Sequence, residues 1–236
     1  MTNLLEIQNI HHQVHPGFSI DLDKLFFQDG PIYALIGDNG AGKSTLLRIL
    51  ALQQPVDEGT VTVFGERSDA RRKLVELRRR LGFLPQRPYL FSSTVSENVA
   101  MGLQFRGEAE EEIEARVSRL LQEFAMTEYA AMPVNRLSDG LRQTVALMRT
   151  LAPHPEFLLL DEPTKALDKD RYDHLVHYLK MLNDERGITM VVATKSRDFV
   201  ERAVNISIHM RYGKVVRIRT GEHQTRSDNG TGLRAS

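Results

Sequence analysis

The chain has 236 residues, enough for one large domain with a substantial core or for two small ones, and its 31 basic residues balance 31 acidic ones. That balance leaves no global field to favour nucleic acid or an acidic membrane surface, so charge has to act locally. Cysteine is absent, which excludes disulfides, thiolate nucleophiles and cysteine zinc sites and suits a reducing cytoplasm. No stretch approaches the roughly 18 apolar residues of a membrane helix, so the chain reads as soluble, with any membrane role supplied by a partner.

In chain order, LLEIQNI, the segments around FSIDLDKLFF and then TVTVFG lack helical spacing and read as an antiparallel flank. IYALIG, residues 32–37, reads as a buried strand running into a glycine-rich turn and a helix from about Lys43. From about Ser93 to Pro133 there is no strand signal. Instead, EAEEEIEARVSRLLQEFAM places Ile113, Val117, Leu120, Leu121 and Phe124 on one helical stripe, with Glu110, Glu111 and Glu112 in the first turn, where the helix dipole favours them. This helical stretch reads as an insertion into an α/β core with a largely parallel sheet, because EFLLLDEP and ITMVVAT resume the strand pattern. The polar segment 221–236 reads as a flexible tail.

GDNGAGKST, residues 37–45, fits G-x-x-x-x-G-K-[ST] between a predicted strand and a predicted helix. Gly37, Gly40 and Gly42 allow the backbone of the loop, with Asp38, Asn39, Ala41 and Thr45, to wrap around phosphate oxygens. Lys43 is placed to reach the β- and γ-phosphates and Ser44 to offer a hydroxyl to Mg²⁺. Asp161 and Glu162 emerge at the carboxyl end of the buried FLLL run, where ligands of parallel sheets collect. Asp161 suits the magnesium shell and Glu162 suits polarising an attacking water. Lys195 ends the ITMVVAT run in the same way and is expected to face a ligand.

The phosphate loop, FLPQ at 83–86, LSDGLRQ at 137–143, FLLLDEP and KALD at 165–168 stand in the order of the ATP-binding cassette (ABC) ATPases, which the chain resembles over roughly residues 4–217. The resemblance implies a P-loop NTPase fold of the ABC nucleotide-binding type, α/β with an antiparallel β flank. The domain would cover 1–220, with a helical subdomain over about 88–153. It also implies a head-to-tail dimer of two such chains closed around two ATP molecules with Mg²⁺. Gln86 resembles the family's glutamine that contacts magnesium and water and registers a membrane partner; Asp168 resembles the aspartate that acts across the dimer. Ser138 suits the N-cap of DGLRQTVALMRTLA, so its hydroxyl, the free amides around Gly140 and the dipole form a second phosphate cradle that only another chain can use.

Three departures stand out. Asp139 and Leu141 replace the glycine and glutamine of the usual LSGGQ, and a carboxylate there suits the helix but repels a γ-phosphate. Lys195 stands where the family carries a histidine; it offers positive charge but accepts no proton at neutral pH, which points to slower turnover. Val14 stands where the family stacks an aromatic ring on adenine, with His15 and Phe18 close by, so base stacking is expected to be weak; the three histidines of HHQVHPGF read as loop residues rather than a metal site. Among lesser features, the arginines of residues 70–80 suit a solvated or interface helix better than nucleic acid, and Tyr89, Leu90 and Phe91 either form a docking surface or pack inside the helical insertion.

These features together point to the ATPase subunit of a bacterial ABC importer. Its partners would be a second ATPase chain, a separate transmembrane permease and a substrate-binding protein, with no nucleic acid, at the inner face of the cell membrane. The stretch LRRRLGFLPQRPYLFSSTVSENVAMGL resembles importers of oxyanions such as tungstate or molybdate. A soluble ATPase of an assembly machine and a weakly hydrolysing regulatory subunit are the alternatives, the second favoured by Asp139 and Lys195 and opposed by Glu162.

Overall fold

The computed structural model describes residues 3–68 and 71–221. The chain opens with a long hairpin, β1 (Asn3–His15) and β2 (Phe18–Gln28), followed by β3 (Ile32–Ile36) and α1 (Lys43–Leu50). Next come β4 (Glu58–Val63), β5 (Glu66–Arg67), α2 (Arg71–Arg80) and β6 (Leu81–Leu84). Three helices follow without a strand: α3 (Val95–Gln104), α4 (Glu110–Glu123) and α5 (Asp139–Leu151). The chain then resumes alternation with β7 (Phe157–Asp161), α6 (Lys169–Arg186), β8 (Thr189–Ala193), α7 (Arg197–Ala203), β9 (Ile206–Arg211) and β10 (Lys214–Thr220).

Two sheets result. The first is antiparallel, in the order β2-β1-β4-β5. The second runs β10-β9-β3-β8-β7-β6, parallel from β9 to β6, with β10 added antiparallel at the edge. The strand alternation of period two divides the central side chains between two cores. Tyr33, Leu35, Phe157, Leu159, Val191 and Ala193 face one shared with the antiparallel sheet and α1. Ile32, Ala34, Leu158, Leu160, Met190 and Val192 face the other, shared with the inserted helices, α6 and α7. Full burial of each large side chain contributes about 1.5–3 kcal/mol, and a sheet covered on both faces explains the unbroken apolar runs. Six of the eight residues of α1 are buried, so its N-terminus is held firmly at the mouth of β3.

Local chemistry sets the inserted helices. Thr94 and Glu97 form a reciprocal cap on α3, with Thr94 N–H donating to Glu97 Oε2 at 2.8 Å and Glu97 N–H to Thr94 Oγ1 at 3.3 Å. On α4 the expected stripe is the buried one: Ile113, Val117, Leu120, Leu121 and the following Phe124. The fully buried Asn98 side chain accepts from Phe91 N–H and donates to Phe91 O, which pins the preceding loop. Phe91 and Tyr89 are thereby left exposed, 41% and 70%, while Leu90 packs inside, so the aromatic stretch divides between the two expected roles.

Some expectations change. His11, His12 and His15 lie in β1 rather than in a loop, because the hairpin is longer than its alternation suggests. His11 Nδ1 is 2.6 Å from Asp21 Oδ1 and His12 Nε2 is 2.6 Å from Gln54 Nε2. The short strand β6 follows α2 directly and carries no turn signal of its own. Two arginines of α2 serve internal contacts: Arg78 donates to Leu52 O, and Arg80 forks onto Glu156 at 2.6 Å through both nitrogens while its guanidinium lies 3.7 Å from the Phe64 ring centroid. Apart from its first residue, the expected tail lies outside the described residues, among which no helix is long and apolar enough to cross a membrane.

Candidate nucleotide site

The turn from β3 to α1 is built on glycines that nothing else can replace. A Cβ at Gly37 would meet Met210 O at 2.3 Å, and one at Gly42 would meet Ile20 Cδ1 at 2.4 Å, on a backbone already at φ 101°. Gly42 is the N-cap of α1 and brings no side-chain acceptor, and no acid lies in the first turn, so the amides and the positive dipole end are free for an anion. Lys43 is 8% exposed and folds back to donate to Gly37 O at 2.8 Å and Asp38 O at 3.0 Å. Burial lowers its pKa, opposed by the carboxylates of Glu162, Asp161 and Asp38. Asp38, Asn39 and Gly40 are exposed at the loop tip, Ala41 is buried, and the Thr45 hydroxyl accepts from Arg48 at 3.2 Å.

Opposite the loop, the end of β7 delivers two carboxylates. Asp161 is 3% exposed; burial raises its pKa, while the Ser44 hydroxyl and the Gln86 backbone N–H, both donating to it, and the charges of Lys43 and Arg48 pull it down. Glu162 follows in the left-handed region at φ 49°, an arrangement a non-glycine residue adopts at a cost of order 1–3 kcal/mol and one found where a site over-determines it. Its N–H donates to Ala193 O at 2.8 Å, which extends the β7–β8 ladder by one step. Burial raises its pKa as well, against the Lys195 backbone N–H that donates to it and the Lys43 charge. The Lys195 ammonium donates to Asn39 Oδ1, so the end of β8 is tied to the tip of the phosphate loop.

Lys43, Ser44, Asp161, Glu162 and the loop from Asn39 to Gly42 line one cavity of about 540 Å³ together with Gln86, Val14, His15 and Phe18, and Lys195 stands beside it, joined through Asn39. Val14 is half-buried against the core, whereas the β1–β2 register sets His15 opposite Phe18, and their rings stack at 5.5 Å and 26°. The aromatic rings expected close to Val14 therefore stand at the cavity as a stacked pair, an arrangement set by the hairpin pairing.

Ser138, Gly140 and Asp168 stand outside this cavity. Ser138 Oγ caps α5 by accepting from Leu141 N–H at 3.4 Å; Asp139 is exposed, and Leu141 packs partly against the core. Asp168 caps α6, accepting from Arg171 N–H at 2.9 Å and pairing with Arg171 Nε at 3.3 Å. Gly140 touches the turn before α6 so closely that a Cβ would lie 2.5 Å from Ala166 O. The helix cap and that turn thus form one rigid edge, apart from the chain's own phosphate loop.

A family model for ABC transporters matches residues 22–165. The chain belongs to the ABC transporter family. Among its relatives in that family, it is 40% identical over 200 residues to the sulfate/thiosulfate import ATP-binding protein CysA of Synechococcus elongatus, covering 84% of this chain and 57% of that one. It is 38% identical over 202 residues to the methionine import ATP-binding protein MetN of Bifidobacterium longum, covering 84% and 50%. The chain spans about half the length of the curated relatives it matches. In structure it is similar to the ATP-binding cassette MJ0796, solved as a dimer in a post-hydrolysis state bound to ADP and Pi, with a TM-score of 0.83 at 28% identity over 92% of this chain and 98% of that one.

Proposed function

We propose that this chain is the ATP-hydrolysing subunit of a bacterial ABC importer. It would form one ABC ATPase domain over residues 1–220, with 88–153 as the helical subdomain, and dimerise around two ATP to drive a separate permease at the inner face of the membrane. The observation that carries the reading is the convergence of Lys43, Asp161 and Glu162 on one cavity headed by the free N-terminus of α1, with Lys195 tied to its rim through Asn39. The names of the relatives support import; the MJ0796 dimer supports pairing of two cassettes.

Lys43 exchanges its two loop carbonyls for phosphate oxygens, and the α1 amides bind the same groups. The donor set of Ser44 hydroxyl, Asp161 carboxylate and Gln86 amide is all hard oxygen and fits Mg²⁺, held by few protein ligands because phosphates complete the shell. When bound, the ion supplies neutralisation of phosphate charge. Glu162, whose carboxylate burial makes more basic, orients the attacking water and takes its proton. Lys195 offers charge from the far side and releases Asn39 to do so. Ser138 and Gly140 of a second copy close the site, with Asp168 at that interface.

The cargo reading narrows differently from the expectation. Relatives divide between methionine and sulfate/thiosulfate import, so tungstate or molybdate gains no support from them. The test of the whole reading is the Glu162→Gln chain with Mg-ATP, by size exclusion with light scattering. A dimer that dissociates when ATP is withdrawn is expected, and a strictly monomeric chain at high concentration, even beside its permease, overturns it.

A further inference from the structure

We propose that the chain carries a second small-molecule site between α5 and the start of α6, for a compact organic ligand with an apolar body, a carbonyl acceptor at its inner end and an ammonium at the mouth. A cavity of about 350 Å³ opens there, walled by Phe124, Leu147 and Leu175 and reaching Leu167 and Asp168. Its volume is at the lower end of ordinary ligand pockets, about 300–1,000 Å³.

The inner wall holds Gln143, 7% exposed, whose side-chain Nε2 has no hydrogen-bond partner. A buried amide donor without an acceptor is costly enough that native proteins rarely leave one unmet, which points to an acceptor arriving from outside. Three neighbouring polar side chains, Thr144, Arg171 and Glu123, are already committed. The Thr144 hydroxyl donates to Gly140 O at 3.1 Å, Arg171 is taken by Asp168 and Met126 Sδ, and Glu123 Oε2 accepts from the Tyr178 hydroxyl at 2.9 Å.

Charge at the cavity is acidic, with Glu123, Asp168 and Asp170 set against Arg171. Asp170 is exposed and has no partner among the described residues, so the mouth selects a cation. Because Gly140 rests on Ala166 O, an occupant wedged between α5 and the turn into α6 bears on both edges that the proposed dimer uses. The site itself stands without the ATPase reading; only its effect on turnover depends on it.

The test titrates 4-(aminomethyl)benzamide into the ¹⁵N-labelled full chain without nucleotide, by NMR, to about 5 mM. The Gln143 side-chain amide, assigned by its loss in Gln143→Met, is expected to shift, with binding about fivefold weaker in that variant and weaker again in the surface variant Asp170→Asn. Benzylamine, which lacks the carbonyl, is expected to bind equally to the native chain and to Gln143→Met. Failure of the lining amides to shift, which would mark a cavity filled by water alone, overturns the proposal; so does binding that ignores both substitutions. ATPase rates with and without the probe then report the coupling, and an unaffected rate overturns the coupling while leaving the site.

Discussion

Replacing Gly140 by alanine sets two known effects against each other. In a helix interior the exchange gains about 0.5–1 kcal/mol through backbone entropy and propensity. Here the new Cβ would lie 2.5 Å from Ala166 O and 3.5 Å from Ala166 C, a contact with backbone rather than with a flexible side chain. The carbonyl has to retreat by most of an ångström, and Ala166 is already held at φ 67°. Overpacking of that kind costs about 1–3 kcal/mol, so the clash outweighs the propensity gain and the net loss is about 1–2 kcal/mol. For a chain of this length that lowers the melting temperature by about 2–8 °C. Calorimetry of Gly140→Ala, Ala166→Gly and the double variant measures the coupling; a glycine at 166 should restore part of the loss, because it lets the turn shift without strain. A Gly140→Ala chain that melts higher than the native one would refute the close approach on which the shared edge of α5 and the turn depends.

Asp161 and Glu162 predict an inverted pH dependence. Burial raises both pKa values, so between the unfolded and the raised native value the folded chain holds more protons than the unfolded one, and stability contributed by these groups falls as pH rises through that window. Asp161→Asn and Glu162→Gln should flatten the fall and stabilise the nucleotide-free chain at neutral pH, read as urea midpoints at several pH values; parallel profiles for variant and native chain would remove the argument. Lys195→His introduces an acceptor at the end of β8 and should raise the ATPase rate about tenfold or more, with a new pH limb near about 6.5. A native chain as fast as the variant would show that an imidazole acceptor is not what turnover lacks.

Local pattern was enough for much of the molecule. The glycine spacing of residues 37–45, the acids at the end of FLLL and the stripe through Ile113, Val117 and Leu120 each follow from a few adjacent residues, because dihedral demands and periodicity act over one turn or one strand. Other features depend on residues far apart in the chain. The His15–Phe18 stack needed the hairpin register, the tie between Lys195 and Asn39 spans 156 positions, and the contact of Gly140 with Ala166 joins a helix cap to a turn beyond a strand. The four residues of β6 become a strand only because β7 offers an edge to pair with. What the sequence determined was therefore the chemistry, since a phosphate loop and strand-end carboxylates are written in local spacing. Tertiary structure alone decided which of those groups meet, which carboxylates lose water, and that Gln143 is left facing a cavity without a partner, because burial and long-range contact are properties of the packed chain.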